Sequence, residues 1–307
     1  MKIGKYLSRG QERFFLIQGG SLAYDCGSLD HGAVPERLRM ALQGTLLSGS
    51  AADIFAVLPL IEEFLDRHPY YWDATAAKAI DISTNSVLLP PVRPGAFLCV
   101  GLNYLDHAHE SQMELPKKPL LFAKAPNAIN GHNQPIRIPD GSQQVDFEAE
   151  LAVVIGRTCH HVGAADAAQY VAGYTCTNDV SARDFQFADG QWFRGKSCDG
   201  FGPLGPWLVT PSELPDHRTL AIRTRVNGRT MQDSNTNNLI FGVPELIEFI
   251  SSSITLHAGD VIATGTPPGV GFARKPPVYL KDGDCIEVEI EKIGTLRNHL
   301  RLMGDSR

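Results

Sequence analysis

VDFEAELAVVIG, residues 145–156, decides the reading of this chain. Its β-formers predict a strand, and LAVVI, with no polar alternation, predicts one buried on both faces. Side chains alternate across a strand, so Glu148 and Glu150 share a face, with Asp146 a candidate third. A further carboxylate, Asp179, follows 29 residues after Glu150. Carboxylates at the mouth of a buried strand need a positive partner, because an unpaired buried charge is costly. Three hard oxygen ligands suit Mg²⁺, Mn²⁺ or Ca²⁺. The D-x-E-x-E pattern alone is equally that of an edge strand with a solvated acidic face.

The rest of the composition frames this reading. A chain of 307 residues, 43% hydrophobic and 20% charged, is long enough for one large domain with a small companion. A net charge of −6 offers no basic footprint for nucleic acid and no polybasic membrane patch. No apolar run approaches the roughly 20 residues of a membrane span, and MKIGKYLSRGQERFF lacks the apolar core of a signal peptide. Cys26, Cys99, Cys159, Cys176, Cys198 and Cys285 form no C-x-x-C pair. They read as thiols in a reducing cytoplasm rather than as a disulfide framework or a zinc site.

The chain divides near residue 90. Before it, RFFLIQ and SLAYD read as a hairpin, and PERLRMALQ and ADIFAVLPLIEEFLDRH carry helical spacing. LLPPVRPG (88–95) reads as a linker. Beyond it, short β runs dominate (FLCVG, LLFAK, PWLVT, AIRTRVNG, DVIATG, CIEVEIE), with DAAQYVAGY and VPELIEFISS the clearest helices. The expected fold class is α+β: a β-rich catalytic domain over 91–307 with a small N-terminal α/β domain over 1–90.

Three other stretches carry chemistry. In GLNYLDHAHE (101–110) a sharp turn precedes His107 and Glu110, three apart and so neighbours on one helical face. A carboxylate that orients an imidazole makes a workable general-base pair, although a solvated surface helix has the same spacing. The polar segment that follows predicts a lid over about 103–118. In WFRGKSCDGFGPLGPWLVT (192–210) Lys196 lies among glycines and aromatics, where an ammonium can stabilise developing negative charge; an ordinary surface lysine fits the same pattern. DVIATGTPPGVG (260–271) ends a strand in a Gly/Pro loop whose amides and hydroxyls can grip a carboxylate. It lacks the glycine spacings of nucleotide-binding loops.

Taken in order, GLNYLDHAHE, FAKAPNAINGH, VDFEAELAVVIG, GYTCTNDVSARDFQ, GKSCDGFGPLGPWLVT, VNGRTMQDSNTNNLIFGVPELI and GDVIATGTPPGVG closely resemble the fumarylacetoacetate hydrolase family, from about Phe97 to the C-terminus. The resemblance implies a β-rich mixed roll, usually dimeric, and a small-molecule 2-oxo acid substrate. It implies Mg²⁺ or Mn²⁺ held by Glu148, Glu150 and Asp179, with Ca²⁺ as a non-native occupant. It implies catalytic roles for Lys196, His107 and Glu110, and a substrate pocket lined by Arg183, Gln186 and Thr266. The leading expectation is hydrolysis of the C–C bond of a 2,4-dioxo acid, with His107 and Glu110 activating water and the metal acting as electron sink for a pyruvate enolate. Oxaloacetate decarboxylation and 2-oxo acid tautomerisation use the same sink and stand as alternatives, with a non-catalytic scaffold less favoured.

Overall fold

Seven residues of the opening stretch, Ala149–Ile155, form a strand in which every side chain is buried. Ala152 and Val154 enter one hydrophobic core, and Leu151, Val153 and Ile155 enter another on the opposite face. Two-faced burial explains why the sequence shows no alternation there.

The computed structural model describes residues 1–8, 10–17, 23–26, 34, 38, 51–68, 79–80, 82, 86–106 and 114–303. Its strands in chain order are β1 (Lys2–Ser8), β2 (Gln11–Ile17), β3 (Ala23–Asp25), β4 (Ala79–Ile80), β5 (Phe97–Gly101), β6 (Leu120–Lys124), β7 (Ile129–Asn130), β8 (Pro135–Ile138) and β9 (Val145–Asp146). They continue as β10 (Ala149–Ile155), β11 (Val171–Asn178), β12 (Ser181–Ala182), β13 (Gly202–Val209), β14 (Ala221–Val226), β15 (Arg229–Asn235), β16 (Val261–Ala263), β17 (Cys285–Ile290) and β18 (Gly294–Leu302). The described α-helices are α1 (Ala51–Arg67), α2 (Arg183–Ala188), α3 (Phe193–Lys196) and α4 (Val243–Ser251).

One sheet runs β4-β3-β2-β1-β13-β11-β10-β16-β5-β6, with β7 alongside β13, and a second runs β15-β14-β17-β18-β8. Few helices and mixed sheets make the fold α+β. In the second sheet alternate residues are buried: Ile222, Thr224 and Val226 face inward across from Ile286, Val288 and Ile290. Outside, Arg223 and Arg225 pair with Glu289, exposed ion pairs that add little stability. Helix α4 buries Val243, Leu246, Ile247 and Ile250 at helical spacing against the core that includes Leu151 and Ile155.

The first 90 residues join the larger sheet: Lys2 and Ile3 of β1 pair with Val209 and Leu208 of β13. Ile61, Phe64 and Leu65 of α1 pack in the same core as Leu204, Leu208 and Val154. The Pro- and Gly-rich stretch read as a linker is packed rather than loose. Leu88 N and Leu89 N donate to His132 O and Lys5 O at 3.1 and 3.0 Å, and Val92 is fully buried. Leu89 bridges Lys5 of β1, and the prolines that follow need no N–H partner of their own. DAAQYVAGY is not one helix: Ala164–Tyr170 form a 3₁₀ helix and Val171 opens β11, where pairing with β10 overrides local propensity. PERLRMALQ lies almost wholly outside the described residues. All six cysteines are free, with Cys198 and Cys285 only partly buried. No described helix is long and apolar enough to cross a membrane.

Candidate metal centre and its cavity

The acidic strand is not continuous. It breaks at Phe147 and Glu148 because side chains take over the ladder. Phe147 N donates to Asp146 Oδ1 (2.8 Å), Glu148 N to Asn178 Oδ1 (3.0 Å) and Ala149 N to Gln232 Oε1 (3.0 Å). Asp179 N donates to Glu148 O at 2.9 Å, which ties the end of β11 to the break. Glu148, Glu150 and Asp179 thereby present carboxylate oxygens within 4.8 Å of one another, all three residues buried.

Lys196, delivered by α3, reaches into this group: its Nζ lies 2.7 Å from Glu148 Oε2 and 2.6 Å from Asp179 Oδ2. Lys124 Nζ, at the end of β6, lies 2.5 Å from Asp179 Oδ1, and Arg183 Nη2 donates to Glu148 Oε1 at 2.5 Å. Burial works against the charge on Lys196, but Asp179 and Glu148 outweigh it and its pKa ends above the ordinary value. Burial likewise opposes ionisation of Glu148, yet Lys196 and Arg183 hold its pKa well below the usual carboxylate range. Glu150 behaves oppositely: burial first, then Asp179 and Glu148, push its pKa well above that range. Its Oε2 accepts Gly265 N at 2.8 Å.

Four carboxylates (Asp146, Glu148, Glu150, Asp179) thus face three cationic side chains (Lys124, Arg183, Lys196) in one buried cluster. Glu150 is the carboxylate with no ion-pair partner among the described residues, and its ionised form, disfavoured by burial and by Asp179 and Glu148, is the one a bound cation would stabilise. An all-oxygen donor set fits a divalent ion of the Mg²⁺, Mn²⁺ or Ca²⁺ kind.

The cluster floors a cavity of about 270 Å³. Glu148, Glu150, Arg183, Gln186, Lys196 and Thr266 line its polar side, while Leu102, Phe122, Phe187, Trp192 and Phe272 line the other. Every sequence-predicted site residue among the described ones therefore meets here; Asp179 sits beneath, joined through Lys196. His107 and Glu110 lie outside the described residues. The segment expected to be a lid does not begin at 103. Asn103 Nδ2 donates to Thr264 O (2.7 Å) and Phe241 O (3.0 Å), and Asp106 accepts from Ser234 Oγ and Asn238 Nδ2. These hydrogen bonds tie Asn103 and Asp106 to the chain at Phe241 and Thr264 and to Ser234 of β15 and Asn238.

The Gly/Pro loop after β16 grips carboxylates as expected, but they are the protein's own. Gly265 N is spent on Glu150, and Gly271 N and Phe272 N on Asp146 at 2.6 and 3.1 Å. At Gly265, with φ +104°, a side chain's Cβ would fall 2.7 Å from Asn103 Cβ, so the turn demands glycine. At Gly271 a Cβ would fall 2.0 Å from Val278 O and 2.5 Å from Asp146 Oδ1. Gly271→Ala is therefore expected to lower stability by about 1–3 kcal/mol in calorimetric melts. An unchanged melting temperature would show that the loop has slack.

Two members of the site went unnoticed in the sequence. Lys124 ends the apolar strand LLFAK and is its one buried residue, after an exposed Leu120 and half-buried Leu121, Phe122 and Ala123, so the sequence carries no signal of its burial. Gln232 lies in a hairpin, yet its buried amide donates to Thr266 Oγ1 and Pro267 O, both at 2.8 Å, and accepts from Ala149 N. It ties the Gly/Pro loop to the acidic strand.

The geometry can be set against known proteins. Residues 96–301 match the family model described as fumarylacetoacetate (FAA) hydrolase C-terminal. The mitochondrial oxaloacetate tautomerase Fahd2a of Rattus norvegicus is 49% identical over 212 residues, 69% of this chain and 68% of the relative. The fumarylacetoacetate hydrolase of Exiguobacterium antarcticum superposes with a TM-score of 0.79 at 36% identity, covering 98% of this chain and 99% of its own. A 5-carboxymethyl-2-hydroxymuconate delta-isomerase from Mycobacterium smegmatis does so with a TM-score of 0.74 at 34% identity, covering 99% of this chain and 100% of its own. A family match over two thirds of the sequence, carried by the same segments that build the acidic cavity, places this chain in the fumarylacetoacetate hydrolase family.

Proposed function

We propose that this chain is a divalent-metal-dependent tautomerase, moving a proton between the keto and enol forms of a 2-oxo acid, with oxaloacetate the first substrate to test. The observation that carries this reading is the buried triad of carboxylates, within 4.8 Å of one another, at the floor of a cavity walled by aromatic side chains. The tautomerase and isomerase names of relatives support proton transfer over bond cleavage. When bound, Mg²⁺ or Mn²⁺ supplies Lewis-acid polarisation of the substrate's keto oxygen. Glu148, Glu150 and Asp179 hold the ion. Lys196 holds the Glu148 and Asp179 carboxylates in register through its two hydrogen bonds. Arg183, Gln186 and Thr266 bind and orient the substrate carboxylate, and Phe122, Trp192 and Phe272 exclude water. His107, oriented by Glu110, takes and returns the proton at C3. The homodimer expected from the resemblance belongs to the same proposal.

Hydrolysis of a 2,4-dioxo acid is the second reading, favoured by the 36% identical hydrolase that covers nearly the whole chain. It asks His107 to activate a water rather than to move a substrate proton. The two separate on metal-saturated enzyme by following enol absorbance of oxaloacetate beside product formation from acylpyruvates. Wild type is expected to accelerate enol loss, and His107→Ala to slow it on the order of 10²–10⁴-fold, the usual range for a general base. Acylpyruvate cleavage without faster oxaloacetate tautomerisation would overturn the leading reading in favour of the second.

A further inference from the structure

Asp146 shares the acidic stretch with the metal-ligand candidates but turns away from them. It is fully buried, and both its oxygens are saturated. Oδ1 accepts Phe147 N (2.8 Å) and Gly271 N (2.6 Å); Oδ2 accepts Arg183 Nε (2.9 Å) and Phe272 N (3.1 Å) and lies 2.9 Å from Arg183 Nη2. No lone pair is left for an ion.

The partner's donors are also counted out. A guanidinium has five N–H groups in a fixed fork. On Arg183, Nε and one hydrogen of Nη2 face Asp146, the other Nη2 hydrogen faces Glu148 Oε1, and one Nη1 hydrogen goes to Gln186 Oε1 at 2.9 Å. One Nη1 hydrogen remains uncommitted, on a residue that lines the cavity. The ring of Phe272, whose amide Asp146 also holds, lies 4.4 Å from the guanidinium carbon and covers one face of the plane.

We infer that Asp146 is a positioning residue for the substrate: by gripping the Nε–Nη2 edge of Arg183 it leaves the Nη1 tip as the donor offered to the ligand's carboxylate. The same carboxylate fixes the loop that brings Phe272 over the guanidinium, so arginine and cavity wall are set by one group. This rests on the proposed reading of the cavity as a 2-oxo acid site.

Oxalate, a mimic of the 2-oxo acid head group, tests it by calorimetry on Mg²⁺-saturated protein, in a cycle of Asp146→Asn, Arg183→Gln and the double variant. Asp146→Asn is expected to weaken oxalate binding on the order of tenfold, as for a lost charge-assisted hydrogen bond. Arg183→Gln is expected to weaken it by at least as much, and the double variant to bind no worse than Arg183→Gln, because the two residues act as one unit. Losses that multiply, or wild-type affinity in Asp146→Asn, would overturn the inference. Should Asp146→Asn fail to fold, Arg183→Lys decides: it keeps the charge but loses the fork, and is expected to bind oxalate as poorly as Arg183→Gln. Wild-type affinity in Arg183→Lys would overturn the inference. Wild-type protein that takes up Mg²⁺ but no oxalate would overturn the 2-oxo acid reading itself, and this inference with it.

Discussion

Glu150→Gln yields a folded protein whose affinity for Mg²⁺ or Mn²⁺ is lower by on the order of 10²-fold or more. Partners that merely orient metal ligands are worth roughly 10–100-fold, so a ligand carboxylate sets a floor near the top of that range. The distinguishing feature is the metal-free protein. Glu150 is buried beside two other carboxylates, and burial together with Asp179 and Glu148 disfavours its charge. A neutral amide of the same shape removes that penalty while still accepting the Gly265 amide. Metal-free Glu150→Gln is therefore expected to melt no lower than wild type, while the rise in melting temperature that metal gives the wild type disappears. Titration calorimetry and thermal melts with and without metal report both effects. Wild-type metal affinity, or a metal-free variant that melts several degrees lower, would remove Glu150 from the proposed ligand set.

Lys196→Met should be the most destabilising single change at the site when metal is absent. Breaking a buried ion pair by removing one partner costs about 3–5 kcal/mol. Here Glu148 and Asp179 both lose an ammonium, at 2.7 and 2.6 Å respectively. Arg183 still holds Glu148 and Lys124 still holds Asp179, which places the effect at the lower end, about 3 kcal/mol. Methionine preserves most of the volume, so little of this is cavity formation. Since a divalent ion held by the same carboxylates replaces the missing charge, added Mg²⁺ is expected to recover part of the lost stability. A melting temperature equally depressed with and without metal would show that Lys196 acts in packing rather than in charge balance.

The fold and the site were legible to different degrees, for physical reasons. The LAVVI run announced two-faced burial because burial on both sides leaves no polar alternation. AIRTRVNG and CIEVEIE read as β runs and form β14 and β17, but that they share a second sheet with alternate residues buried came from the structure. What the sequence hid was substitution of backbone by side chain: nothing in FEA says that Asn178 and Gln232, 30 and 83 residues away, take the hydrogen bonds of Glu148 and Ala149. Glu148, Glu150 and Asp179 could be picked out because carboxylates rarely stand beside buried apolar runs. Lys124 and Gln232 could not, since their burial depends on elements distant in sequence. The Pro- and Gly-rich stretch before residue 96 read as a linker, and its composition does not reveal that Pro90, Pro91, Val92 and Pro94 are buried, because the same residues serve exposed and packed connections.

β13 lies in the middle of the larger sheet, between β1 and β11. Its outward neighbour toward the N-terminus is β1, and the apolar surface around Leu204 and Leu208 is covered by α1. Cutting the chain near residue 90 would strip both away at once, exposing a strand in the middle of the larger sheet with open N–H and C=O groups beside bare leucines. Such a flank is a template for self-association. The early residues thus cover a strand flank and an apolar surface that the rest of the chain would otherwise leave open.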